Sequence, residues 1–153
     1  PGRAPSDLAP SPLYGQPVSV DYPVVKLAPG VTPEQVRPLM QRLAPLRHHF
    51  RQMLLNSRGN SAPLSEEEAR RRITIHGLPV SWVFLGLEAG VMYSYPGKGR
   101  YPEGYDPRLR PWYRFGAHKE VVSWGNPYID VQGLGRVLPC ATAIYDKNGT
   151  RMH

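Results

Sequence analysis

Tyr105-Asp106-Pro107-Arg108-Leu109-Arg110-Pro111-Trp112-Tyr113 joins a helix-start signal to a dense set of aromatic and guanidinium side chains. Asp106 can cap a helix that begins at Pro107: a side-chain oxygen satisfies an orphan amide of the first turn, and proline has no amide to lose there. The helix is expected to carry Arg110, Trp112 and Tyr113. Arg108, Arg110 and Arg114 thus lie beside Tyr105, Trp112 and Tyr113, with Tyr128 and Asp130 further along the chain.

Before this run, Pro96-Gly97-Lys98-Gly99 and Pro102-Glu103-Gly104 make a long connection, which in a compact domain is more often functional than idle. Ahead of that, the stretch from Val80 to Leu87 is β-branched, aromatic and apolar on both faces, Glu88-Ala89-Gly90 reads as a turn, and Val91 to Tyr95 continues as a second strand. These features predict a hairpin in a sheet covered on both faces. Beyond the run, a strand is expected at Val121 to Trp124, a break at Gly125-Asn126-Pro127, and a further strand from Arg136 to Tyr145. Asp146-Lys147-Asn148-Gly149 is a hairpin-turn signal. Its returning strand barely starts before His153, so the sheet is expected either to have lost its last strand or to have that edge covered.

Toward the N-terminus, Thr32-Pro33-Glu34-Gln35 is a helix start, with a capping Thr, a first-turn Pro and a Gln three residues after the cap. Leu39, Leu43, Leu46, Phe50, Met53 and Leu54 recur at helical spacing, which predicts a long amphipathic helix over about 33–57, ended by Arg58-Gly59-Asn60 and kinked or split at Pro45. Ser65-x-x-Glu68 opens a second, short helix to about Arg72. Residues 1–30, rich in Pro, Ser and Gly, read as an extended arm, and 31–153 as one domain. A long helix, then an antiparallel sheet with a helical crossover, is an α+β layout.

The chain of 153 residues carries a formal charge of +7. Its basic residues are dispersed, and the dense cluster Arg70-Arg71-Arg72 follows Glu66-Glu67-Glu68, so opposite charges can pair along one helix. That is a solvated face and not a phosphate track; no nucleic-acid partner is expected. A basic surface suits a domain beside an anionic membrane or one that attracts anionic ligands. No stretch has the apolar length of a membrane-spanning helix. Cys140, the single cysteine, excludes an internal disulfide and is expected in the core. His48, His49, His76, His118 and His153 show no metal-ligand spacing, and Gly97-x-Gly99 lacks the helix of a dinucleotide loop. Neither a metal, a cofactor nor a catalytic group is expected.

Chemically, the aromatic and arginine cluster is a recognition kit. An arginine fork takes a carboxylate in bidentate fashion, and indole N–H and phenol O–H groups add directed donors. An aspartate with aromatic faces suits an ammonium. A site holding both prefers a zwitterion. The same residues equally suit packing of the helix on the sheet, with the arginines solvated or paired to Asp106 and Glu103.

The run Tyr105 to Tyr113, with Tyr95-Pro96-Gly97 before it and Tyr128-Ile129-Asp130 and Tyr145-Asp146-Lys147-Asn148-Gly149 after it, resembles the membrane-distal half of double Cache sensor domains. The resemblance covers roughly Val80 to Gly149, in order and spacing. It implies a PAS-like fold and a non-catalytic, extracytoplasmic ligand-binding domain of a transmembrane signalling receptor, such as a kinase or chemoreceptor. The implied partner is a small-molecule ligand, an amino acid or small carboxylate, and the long helix offers a homodimer contact. A subset of that family binds free amino acids. Tyr105, Arg110 and Trp112 match its carboxylate-holding positions, Tyr128 and Asp130 its amine-holding positions, and Tyr113 an aromatic position beside them. The last member of that motif, an acidic residue, would fall beyond His153. The alternative reading is a structural or dimerisation module of a receptor, without a small-molecule ligand.

Overall fold

The computed structural model describes residues 8–11, 14–56, 65, 67–68, 70–71, 82–145 and 147–149. The elements are β1 (Val18–Ser19), β2 (Val24–Leu27), α1 (Pro33–Leu43), α2 (Leu46–Asn56), β3 (Val83–Leu87), β4 (Val91–Tyr95) and β5 (Gly97–Lys98). A 3-10 turn (Pro107–Leu109), α3 (Pro111–Gly116), β6 (Ser123–Trp124), β7 (Tyr128–Ile129), β8 (Arg136–Val137) and β9 (Cys140–Ala141) follow. The class is α+β. The chain divides into two compact units, one of Pro1–Val25, Pro33–Leu85 and Tyr93–Arg100, the other of Lys26–Thr32, Gly86–Met92 and Tyr101–His153.

The largest sheet has the order β2-β4-β3. β4 is its middle strand, and every residue from Val91 to Tyr95 is 2% exposed or less. β3 is half-buried along its length. The apolar run from Val80 to Leu87 suggests coverage on both faces there, but among the described residues the doubly covered strand is β4 and not β3. Position in the sheet decides coverage, and β3 lies at an edge. Gly90 turns the hairpin with a φ of 75°, a left-handed conformation that glycine adopts without steric cost.

In the first unit, β1 pairs antiparallel with β5, Val18 opposite Lys98 and Ser19 opposite Gly97. Tyr14 and Val18 are buried. The segment read as an arm thus supplies β1 and a share of the core, and β2 within it joins the main sheet. Strands this short have no periodicity of their own; distant partners define them. The Trp82 indole donates to the Pro96 carbonyl at 3.1 Å. Its ring lies 5.1 Å from that of Tyr14 and 4.4 Å from the Lys98 ammonium, a cation–π contact.

The long helix is two helices in the same unit. α1 stops at Leu43 and α2 starts at Leu46, because Pro45 has no amide for the helical ladder and its ring crowds the carbonyl one turn back. Phe50 of α2 meets Tyr93 edge to face, ring centres 5.9 Å apart. The expected helix end at Arg58-Gly59-Asn60 lies outside the described residues. Residues 67, 68, 70 and 71 are helical. The Glu68 amide donates to the Ser65 hydroxyl at 3.2 Å, and Arg71 pairs with Glu68 at 2.9 Å, so this charge cluster pairs in part with itself.

In the second unit the expected strand from Arg136 to Tyr145 is broken. β8 pairs with β7 and β9 with β6, and Leu138-Pro139 interrupts them, since proline cannot donate to a ladder. β7, opposite β8, was not legible as a strand. On the β6–β9 ribbon, Ser123 and Ala141 face inward as a pair while Trp124 and Cys140 face outward. Cys140 is therefore exposed, against the expectation of a core position. Its strand register, and not the general tendency of free cysteine to be buried, sets its side.

Candidate functional site

Asp106 does cap, but it caps a 3-10 turn. Its carboxylate accepts from the Arg108 amide at 2.9 Å, with Pro107 at the first position. The expected single helix over Pro107 to Tyr113 is interrupted at Arg110, whose backbone is extended at φ −83° and ψ 147°. Proline at 111 explains the break, because the residue before a proline is pushed out of the helical region. α3 then starts at Pro111 and carries Trp112 and Tyr113.

This break separates the roles of two arginines. Arg108 folds back onto Asp106, with Nη2 2.6 Å from the carboxylate and Nε donating to both of its oxygens, while Nη1 donates to the Glu88 carbonyl at 3.2 Å. The Asp106 carboxyl sits below the usual carboxylate range, first because of the Arg108 side-chain hydrogen bond. Arg110 is half-buried, and among the described residues its guanidinium forms no ion pair or side-chain hydrogen bond. One arginine is structural; the other is available.

Around Arg110 the chain gathers most of the candidate residues. The Tyr105 hydroxyl donates to Met92 Sδ at 3.7 Å. Its pKa is pushed up to about 12 by burial, lowered in part by Arg110 and by hydrogen bonding from the Trp112 side chain, and raised further by Tyr128 and Asp130. Tyr128 is raised by burial and by Asp130 and lowered by Arg110. Tyr105, Arg110, Trp112, Tyr128 and Asp130 therefore share one electrostatic neighbourhood. Asp130 Oδ2 also accepts from the Gln132 and Leu134 amides at 3.0 and 3.3 Å, which fixes the carboxylate at the mouth of the β7–β8 hairpin. Tyr113 lies beside Trp112, ring centres 5.7 Å apart at 74°.

Two participants escaped the sequence reading. Met92 receives the Tyr105 hydroxyl, and no local pattern announces it. Gly86 meets both rings of α3: a Cβ placed there would lie 2.6 Å from Trp112 Cη2 and 2.8 Å from Tyr113 Cδ2. A glycine inside an apolar strand is a signal of close approach that could have marked it.

Among the described residues, no group of three or more His, Cys, Asp or Glu could hold a metal, and no helix is long and apolar enough to cross a membrane.

The Asp106 arrangement yields an expected outcome. A carboxyl with a lowered folded pKa contributes stability above its unfolded pKa, and that contribution is lost as pH falls through the folded value. Asp106→Asn keeps an acceptor for the cap but removes the ion pair, so its deficit at pH 7 should vanish in acid. Asp106→Ala removes the cap as well, and should lose about 1 kcal/mol more. Thermal unfolding of both variants against pH checks this; parallel curves at all pH would refute it.

No protein-family model matches the chain. It is 35% identical over 69 residues to the methyl-accepting chemotaxis protein McpC of Bacillus subtilis, covering 44% of this chain and 10% of that protein. It is 41% identical over 49 residues to the methyl-accepting chemotaxis protein McpG of Pseudomonas putida, covering 32% of this chain and 8% of that protein. The chain thus spans a tenth or less of the length of these relatives. Among solved structures, the ligand-binding domain of the Pseudomonas fluorescens chemoreceptor CtaA in complex with L-valine aligns with a TM-score of 0.41 and 27% identity, over 56% of this chain and 45% of that one. The chain is similar, over part of its length, to proteins of bacterial chemotaxis.

Proposed function

We propose that this chain is the ligand-binding sensor domain of a transmembrane signalling receptor, a Cache-type domain exposed outside the cytoplasm that binds a small amino-acid-like or carboxylate metabolite. Within that family the reading is the membrane-distal half of a double Cache domain. The supporting observation is Arg110: a half-buried guanidinium with no carboxylate partner among the described residues, whose charge is felt by Tyr105 and Tyr128, as is that of Asp130. A partly buried cation without a counter-ion favours an anionic partner. Arg110 takes the ligand carboxylate with Tyr105 and Trp112, while Asp130 and Tyr128 receive an ammonium. Tyr113 backs Trp112. The sequence similarity to chemotaxis proteins supports the receptor setting. The domain performs no chemistry on its ligand; binding shifts a conformational equilibrium that an attached signalling module reads.

Calorimetry and thermal shift with L-alanine, propionate and propylamine test this. A ligand present at a hundredfold its dissociation constant adds about 2.7 kcal/mol of stability. Arg110→Ala should weaken L-alanine and propionate by about 2–5 kcal/mol, the range for stripping the partner from a buried charge pair. Asp130→Asn should weaken L-alanine and spare propionate. Binding that survives Arg110→Ala unchanged sinks the assignment; no shift with any probe favours a structural or dimerisation module.

A further inference from the structure

Gly86 lies on β3 with its missing side chain replaced by two aromatic rings. The far edge of the Trp112 six-membered ring, Cη2 and Cζ3, occupies positions 2.6 and 3.0 Å from where a Cβ would stand, and Tyr113 Cδ2 lies at 2.8 Å. Separations under 3 Å are not sustained by real carbon atoms, so any side chain at this position must displace both rings. Such displacement is confined, because Trp112 is only 8% exposed and a packed ring moves as a block.

The two edges of the Trp112 indole therefore have separate tasks. One rests on bare backbone at Gly86; the other supplies the donor that reaches the Tyr105 hydroxyl. The depth to which the ring seats against β3 sets the distance of that donor from Tyr105, whose hydroxyl also feels the charges of Arg110 and Asp130, and Arg110 stands two residues before Trp112 at the start of the same helix. Tyr113 is held by the same contact.

We propose that Gly86 is a positioning and specificity-determining residue of the binding site, which seats Trp112 and Tyr113 deeply enough to leave room for a ligand side chain beside Arg110. This rests on the reading of that cluster as the ligand site. A methyl group at 86 moves both rings off β3, misplaces the indole donor, and narrows the space for the ligand. Larger ligands suffer first.

The test uses the chain as it stands, with L-alanine and L-leucine as probes. Wild type and Gly86→Ala are titrated by calorimetry, and the near-ultraviolet circular dichroism of each is recorded against Trp112→Phe to isolate the Trp112 band. Gly86→Ala should weaken L-leucine at least tenfold more than L-alanine and alter the Trp112 band. The double variant Gly86→Ala/Trp112→Phe guards against a misfolded single variant. A phenyl ring leaves the space that Cη2 and Cζ3 fill while the Tyr113 contact at 2.8 Å remains, so adding the methyl should cost less affinity relative to Trp112→Phe alone than it costs the wild type. An unchanged Trp112 band, or an unchanged L-alanine to L-leucine ratio in a variant that still binds, overturns the proposal while leaving the site reading intact. No binding of either probe by wild type overturns both.

Discussion

Gly97→Ala is expected to destabilise the first unit by about 3 kcal/mol or more, at the upper end of the cost of overpacking. The added Cβ would stand 2.6 Å from the Tyr22 carbonyl oxygen, 2.9 Å from Val24 Cγ2 and 3.3 Å from the Pro23 carbonyl carbon. Two of these are backbone atoms, which cannot rotate aside as a side chain can. The opposing segment is also pinned. The Asp21 and Tyr22 amides both donate to the Ser19 hydroxyl at 3.2 Å, the Tyr95 hydroxyl donates to the Val20 carbonyl at 2.8 Å, and the Ser94 hydroxyl donates to the Val24 carbonyl at 3.3 Å. Relief of the clash must break some of these bonds or separate β1 from β5. Gly104→Ala makes the control: its φ is 67° but, among the described residues, nothing lies within 4 Å of the added atom, so only backbone strain of about 1 kcal/mol applies. Urea unfolding of the two variants should rank Gly97→Ala well below Gly104→Ala. Equal midpoints would show that Gly97 does not approach the Tyr22 to Val24 backbone so closely.

Trp112→Ala should cost about 3–5 kcal/mol, the usual range for removing a large aromatic from a packed site. The indole is buried, rests on Gly86 and Tyr113, and hydrogen-bonds toward Tyr105. Its loss opens Tyr105 to water. Burial is the largest cause of the raised Tyr105 pKa, so despite the loss of the indole donor, this phenol should titrate closer to its ordinary value near 10. Ultraviolet absorbance of the phenolate, compared with a Tyr105→Phe background, reads that change directly. A stability loss under 1 kcal/mol, or a phenol that still titrates near 12, would contradict the packing described here.

Several local signals carried from sequence to structure. The Glu88-Ala89-Gly90 turn, the capping aspartate before Pro107, and the Ser65 cap each involve groups within a few residues, and short-range hydrogen bonding is what such patterns encode. The helix-breaking effect of Pro45 belongs with them. The consequence of Pro111 was also available, since an arginine before proline resists helix, but the capping signal at Asp106 masked it. Strands two residues long were not available. Val18–Ser19 exists because Gly97–Lys98, far away in sequence, lies opposite it, and Tyr128–Ile129 because Arg136–Val137 folds back on it across a short loop.

From its sequence alone this protein is determined to be α+β, with an aromatic and arginine cluster between the hairpin and the C-terminal strands, because composition, caps and turns act locally. Tertiary structure decided three further matters: that β4 and not β3 is the covered strand, that Arg108 is committed to Asp106 while Arg110 has no carboxylate partner among the described residues, and that Gly86 lies under Trp112. The physical reason is common to all three. Strand order, the choice between two nearby arginines, and the closest approach of a ring to a backbone depend on which distant segments meet, and no window of neighbouring residues contains that information.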